Sequence, residues 1–168
     1  MLPARHCSLL ERTDLTSERA WQQVSAEAQA ECEEGFRAYI EPVSNRTFEG
    51  ATLEAVKAAV PASANGAAVL FIADTTAMTL PDHPILVVDL LKDNGGPPFR
   101  CIPAELWAVD NNLNIANMGW DDFATALDED GVYRGLRADC GKSGCSEGAG
   151  SQRACFSAAR YGGVRNPV

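Results

Sequence analysis

A chain of 168 residues supplies one domain with a real core and leaves little room for two. Its 46% hydrophobic and 22% charged residues are ordinary for a globular protein, and no run approaches the roughly 18 apolar residues of a membrane span. A net charge of −9 disfavours phosphate backbones and anionic membrane surfaces, so neither a nucleic acid nor a membrane is expected as partner.

The charge is uneven. Residues 1–136 hold 9 Lys/Arg against 21 Asp/Glu, whereas residues 137–168 hold 5 against 2. That change of sign sets the expected boundary: a globular domain over 1–136, then a Gly/Ser/Ala-rich tail over 137–168 without a sustained apolar period, read as flexible. The opening "MLPARHCSLLERTD" lacks an apolar stretch of signal-peptide length, so the expectation is a cytoplasmic protein. In a reducing compartment Cys7, Cys32 and Cys101 are expected as buried apolar residues, while Cys140, Cys145 and Cys155 cluster in the tail.

In chain order, "SLLERT" (8–13) reads as a first strand. A helix follows near Thr16, with Glu18 favourably placed in its first turn and Trp21, Val24 and Ala28 on one apolar face; it ends before Gly35. "FRAYIEPV" (36–43) alternates as a half-buried strand, with Pro42 marking its end or a sheet edge. After a turn at 45–50, Thr52 caps a helix with Leu53, Val56 and Val60 as its stripe and Pro61 as its stop. "AAVLFIAD" (67–74) and "PILVVDLL" (84–91) are apolar on both faces, as central strands are. "DNGGPP" (93–98) predicts a hairpin into "FRCIPA" (99–104). Pro103 suits the first turn of a helix, "GWDDFATAL" (119–127) is another short helix, and "GVYRGL" (131–136) is a last strand. The order β-α-β-α-β-β-β-α-α-β predicts an α+β domain with a mixed sheet of five to six strands and packed helices.

The blocks "LLERTD", "GFRAYIEPV", "HPILVVDL", "IPAELWAVDNNLNIANMGWDDFA" and "DEDGVYRG" resemble, in one collinear pass over residues 8–136, a family of small proteins catalogued only as a domain of unknown function. Ile102 to Ala124 is the most specific part. The resemblance implies a single domain and no particular chemistry.

Each candidate for chemistry has a plain structural alternative. Asn111, Asn112, Asn114 and Asn117 could line a polar pocket walled by Trp107 and Trp120. Alternatively Asn111 or Asn112 ends the Pro103 helix in a left-handed turn, and Asn117 or Gly119 caps the helix holding Asp121 and Asp122. Leu113, Ile115 and Met118 then face the core. The structural reading covers Asn111 and Asn117 better than Asn112 and Asn114. Asp74 and Asp89 end apolar strands, where carboxylates often meet substrate, yet "DTT" after Asp74 also fits a local turn. His83, between Asp82 and Pro84, is expected in a solvated loop, and His6 in a frayed terminus. There is no nucleophile elbow, no Walker or Rossmann glycine pattern and no zinc spacing, so no catalytic set, metal or cofactor is expected.

Three functions from different classes remain. The first is a non-catalytic binding or regulatory module that engages a basic protein through an acidic surface at Asp121, Asp122, Asp128, Glu129 and Asp130, with an immunity-like inhibitor of a cationic toxin as one form. The second is a small-molecule site or enzyme built from Asp74, Asp89, Arg100 and Glu105 with Trp107, Asn112 and Asn114 nearby. There Arg100 would clamp a carboxylate or phosphate, or alternatively form a cross-strand ion pair. The third is an accessory domain acting through oligomerisation. Convergence of the second set in one cleft would favour an enzyme, and dispersal would remove it.

Overall fold

Five residues buried in succession, Ser8–Arg12, mark a strand covered on both faces. The computed structural model, which describes residues 2, 7–61, 67–91 and 96–136, places this strand, β1, inside a mixed sheet. Helix α1 (Glu18–Ala28) starts where Ser17 accepts the Ala20 amide, one residue after the Thr16 cap expected, and buries Trp21, Val24 and Ala28. Strand β2 (Ile40–Ser44) leads through a 3₁₀ turn at Arg46–Phe48 to α2 (Leu53–Ala58), capped by Thr52 as expected. Strand β3 (Val69–Ala73), helix α3 (Thr75–Thr79), strands β4 (Ile85–Asp89) and β5 (Phe99–Cys101), and a 3₁₀ turn at Pro103–Glu105 follow. Helices α4 (Leu106–Asn114) and α5 (Trp120–Ala124) then lead to β6 (Val132–Tyr133).

The sheet runs β2-β1-β3-β4-β5-β6. β1 lies parallel between β2 and β3, β4 is antiparallel to β3 and β5, and β6 is parallel to β5. The fold is therefore α+β with a six-stranded mixed sheet. Because β1-α1-β2 steps one way from β1 and β2-α2-β3 steps back past it, right-handed crossovers put α1 and α2 on opposite faces. Side-chain parity agrees. Ser8 reaches Asp110 of α4 and Arg12 lies over Trp21 of α1, on the face that Leu10 shares through the register with Phe71, Val87 and Phe99. Leu9, Leu70, Ile72 and Val88 point the other way, into a cluster with Leu2, Phe48 and Val56. A helix as short as α2 is not stable alone. Fully burying Val56 contributes about 2 kcal/mol toward holding it.

Both edges are unsuited to further pairing. β2 carries Pro42, which has no amide hydrogen to donate, and β6 is two residues long.

Several expectations are corrected. The strand expected from Phe36 begins only at Ile40, because β1 begins at Ser8, the partner of Ile40, while the Tyr39 amide bonds the Asp110 carboxylate instead of a ladder. Helix α3 was not anticipated: "DTT" starts a helix with Asp74 as its cap. Helix α4 runs to Asn114, and its left-handed residue is Ala116 (φ 53°) rather than an asparagine. Ile115, expected in the core, is 65% exposed. His83 is buried, not solvated; its Nδ1 lies 2.8 Å from the Ala77 carbonyl and its φ is +46°. Of the three thiols expected inside, Cys101 is buried but Cys7 and Cys32 are half-buried. The β4–β5 pairing agrees with the expected hairpin, and Gly96 of its glycine pair packs so closely on the Trp120 indole that a Cβ would overlap the ring. Residues 92–95, His6 and the whole tail, with its expected flexibility and its cysteines, lie outside the described residues.

Candidate functional site

The amide-rich segment is mostly occupied with holding helices. Asp110, on the inner face of α4, accepts from Ser8 Oγ (2.5 Å), the Tyr39 amide (2.7 Å) and Asn114 Nδ2 (2.8 Å). Asn114 also donates to Ser8 Oγ and accepts the Ala68 amide, so it ties α4 to the starts of β1 and β3. Burial raises the Asp110 carboxyl above its ordinary value, and these three donors oppose the shift. Asn112 donates to the Ala108 carbonyl and accepts from Asn117, closing the end of α4. Asp122 accepts the Gly119 amide at the start of α5, and the Trp120 indole donates to the Pro97 carbonyl. Trp107 does not face Trp120's neighbours: it stacks on Phe36 (5.1 Å, 14° between planes), while Trp120 meets Phe99 edge-on (4.9 Å).

The strand-end acids separate. Asp74 and Arg100 meet in a two-armed ion pair (2.6 and 3.0 Å), each about a quarter exposed, and Arg100 also donates to the Pro84 carbonyl. This pair sits at the carboxyl ends of β1 and β3. Asp14 follows β1 at the same end and accepts the Thr16 hydroxyl and amide, which hold it below the usual carboxylate range; Thr75 contributes further. Arg12 is spent between the Asp14 carbonyl and Glu18. Asp89 lies at the opposite end, because β4 runs antiparallel to β3, and there it accepts the Leu91 amide. Glu105 lies beside Gly135 after β6. Of the residues proposed for a small-molecule site, Asp74 and Arg100 are brought into contact, whereas Asp89 is carried to the far end of the sheet.

Arg134 organises the acidic segment. Arg134 reaches Asp128 (3.0 Å), Asp130 (2.9 Å) and Asp82 (3.2 Å), and these carboxylates raise the guanidinium's pKa while Arg134 lowers that of Asp130. Asp121, Asp122, Glu129 and Asp130 are exposed. Asp82, from the turn before β4, was not expected here, since only the tertiary fold brings it beside Arg134.

Sequence reasoning also passed over Glu11. It is wholly buried, and neither carboxyl oxygen has a hydrogen-bond partner among the described residues. Burial pushes it up from 4.5 to about 7; the Asn45 amide offsets part of that shift without completing a bond. A charge inside the buried run SLLER was the signal available. Phe36 and Tyr39 were likewise read as strand residues rather than as exposed rings. Among the described residues no three His, Cys, Asp or Glu side chains converge as metal ligands, and no helix is long and apolar enough to cross a membrane.

Compared with known families, residues 7–136 match the model described as Domain of unknown function (DUF6924), and the chain belongs to that family. No curated protein matches it.

Proposed function

We propose that this member of DUF6924 is a cytoplasmic, non-catalytic binding module that engages a basic protein, an immunity-like inhibitor being one form. The observation that carries the reading is the α5–β6 edge. There Asp82, Asp128 and Asp130 pair with the guanidinium of Arg134, while Asp121, Asp122 and Glu129 stand exposed in the neighbouring segment. An edge with that excess attracts a cationic surface and repels an anionic one. Elsewhere Asp74 is committed to Arg100, and Asp110 to Ser8 and Asn114. Cys32 and Cys101, thiols without a disulfide among the described residues, suit a reducing compartment. A small-molecule site is less favoured, since Asp89 lies at the far end of the sheet from Asp74 and Arg100.

The test is titration of the isotope-labelled full chain with a lysine–glycine peptide and its glutamate counterpart. The lysine peptide alone should shift resonances of Asp121–Asp130, and the shifts should vanish near 1 M salt, where the screening length is about 3 Å. No binding at low salt, or binding indifferent to salt, overturns the reading.

A further inference from the structure

Charge speeds encounter, but affinity in protein interfaces rests on a few desolvated aromatic anchors. Among the described residues the acidic edge has no exposed aromatic ring. Another surface does. Between α1 and β2 the chain makes a turn closed by the Cys32 amide on the Phe36 carbonyl (2.8 Å) and the Gly35 amide on the Cys32 carbonyl (2.9 Å). Gly35 takes a φ of +81°, a left-handed conformation that side chains other than glycine rarely adopt. Ala38 is buried, and the Tyr39 amide is fixed to Asp110 at 2.7 Å. Both ends of the segment are therefore tied down, and it holds two large rings outward: Phe36 is 49% exposed and Tyr39 65%.

The inner face of Phe36 rests on Trp107, and its outer face is open. Arg37 already lies over Tyr39, at 5.9 Å from its ring centroid, so this surface accepts a guanidinium on an aromatic face. Glu31 and Glu33, both exposed, belong to the same turn. Open π-face and adjacent carboxylates together fit a guanidinium, which stacks and pairs at once. A second copy of this chain is a poor occupant, because it brings the same net charge of −9.

We propose that Phe36, backed by Trp107 and carried on the same turn segment as Tyr39, Glu31 and Glu33, is the anchor for an arginine-bearing segment of a basic partner protein. The proposal rests on the reading of the chain as a module for a basic protein, and adds the residue type recognised and the place. Because the loop is pinned before binding, little ordering cost opposes the contact.

The experiment uses the full chain and a glycine-spaced arginine peptide, with citrulline in place of arginine as the uncharged control. Affinity is measured by titration and the contact mapped by resonance shifts. Shifts should centre on residues 31–39 and Trp107. Phe36→Leu, which keeps apolar bulk but removes the π-face, should weaken the arginine peptide roughly three- to tenfold. Glu33→Gln should weaken it by about twofold, and citrulline should abolish most binding. Glu33 is exposed, so its replacement remains informative if the Phe36 variant proves less stable. Binding unchanged by Phe36→Leu, with shifts confined to Asp121–Asp130, overturns the anchor and leaves the acidic edge standing. No arginine-peptide binding at low salt overturns both. Equal binding of the citrulline peptide, or concentration-dependent self-association abolished by Phe36→Leu, also overturns the anchor.

Discussion

Glu11 is the residue whose chemistry departs furthest from its surroundings. A carboxyl without a hydrogen-bond partner among the described residues is easier to bury protonated than charged, which is why its pKa rises from 4.5 to about 7. A folded-state value above the unfolded one means that its contribution to stability is fully present below 4.5 and is lost as pH rises through about 7. A rise of that size corresponds to a destabilisation on the order of 3 kcal/mol in alkaline solution. Glu11→Gln removes the titration while keeping the shape. In urea melts the variant should match the parent near pH 4 and exceed it by up to about 3 kcal/mol at pH 8.5. Parallel stability–pH curves for the two proteins would show that Glu11 finds a charged partner when folded. Reading the sequence, one sees a glutamate in an apolar strand; that it lacks a hydrogen-bond partner among the described residues emerges only once the strands and the Asn45 turn are placed around it.

At the scale of elements, α3 shows how much can rest on one side chain. Five residues make barely one turn, so Thr75–Thr79 depends on Asp74. One carboxylate oxygen accepts the Ala77 amide, and both oxygens engage Arg100 of β5. Asp74→Ala should cost about 1–2 kcal/mol, most of it from the cap, since the partly exposed ion pair is screened. Asp74→Asn, which keeps an acceptor, should cost less. Hydrogen exchange at Ala77 and Met78 reports the outcome; equal protection in parent and Asp74→Ala would remove the capping argument. The same helix marks the limit of what patterning reveals. Long periodic elements such as α1, and doubly apolar runs such as β3 and β4, are legible because burial imposes their period. A one-turn helix has no period to read. "FRAYIEPV" failed for the converse reason: its alternation is genuine, but the pairing with β1 starts at Ile40, and the Tyr39 amide goes to the Asp110 carboxylate instead of a ladder. The site was legible in the same uneven way. Gly119 caps α5, one of the two caps expected there, whereas Asn117 turns back to Asn112 and the bonds of Asn114 to Ser8 and Ala68 span about a hundred and about fifty residues, beyond any local pattern.

For the whole molecule, the sheet order decides which charges meet. Element types could be read in sequence, but not that β4 turns back beside β3, and this reversal sends Asp89 away from Asp74 while Arg134 and Asp82 come together. What results is an acidic edge at α5–β6 and an aromatic turn at Phe36, each suited to a different stage of binding. Long-range charge acts before contact and is screened by salt; a stacked guanidinium acts after contact and resists dissociation. Association and dissociation rates of the arginine peptide should therefore separate the two. Combined Asp121→Asn and Glu129→Gln should slow association about two- to fivefold at low salt, with the difference disappearing near 1 M, and leave dissociation nearly unchanged. Phe36→Leu should instead speed dissociation at both salt concentrations with little effect on association. If the carboxamide variants accelerated dissociation as strongly as Phe36→Leu, the acidic edge would itself be a contact surface, and the division between steering and anchoring would fall.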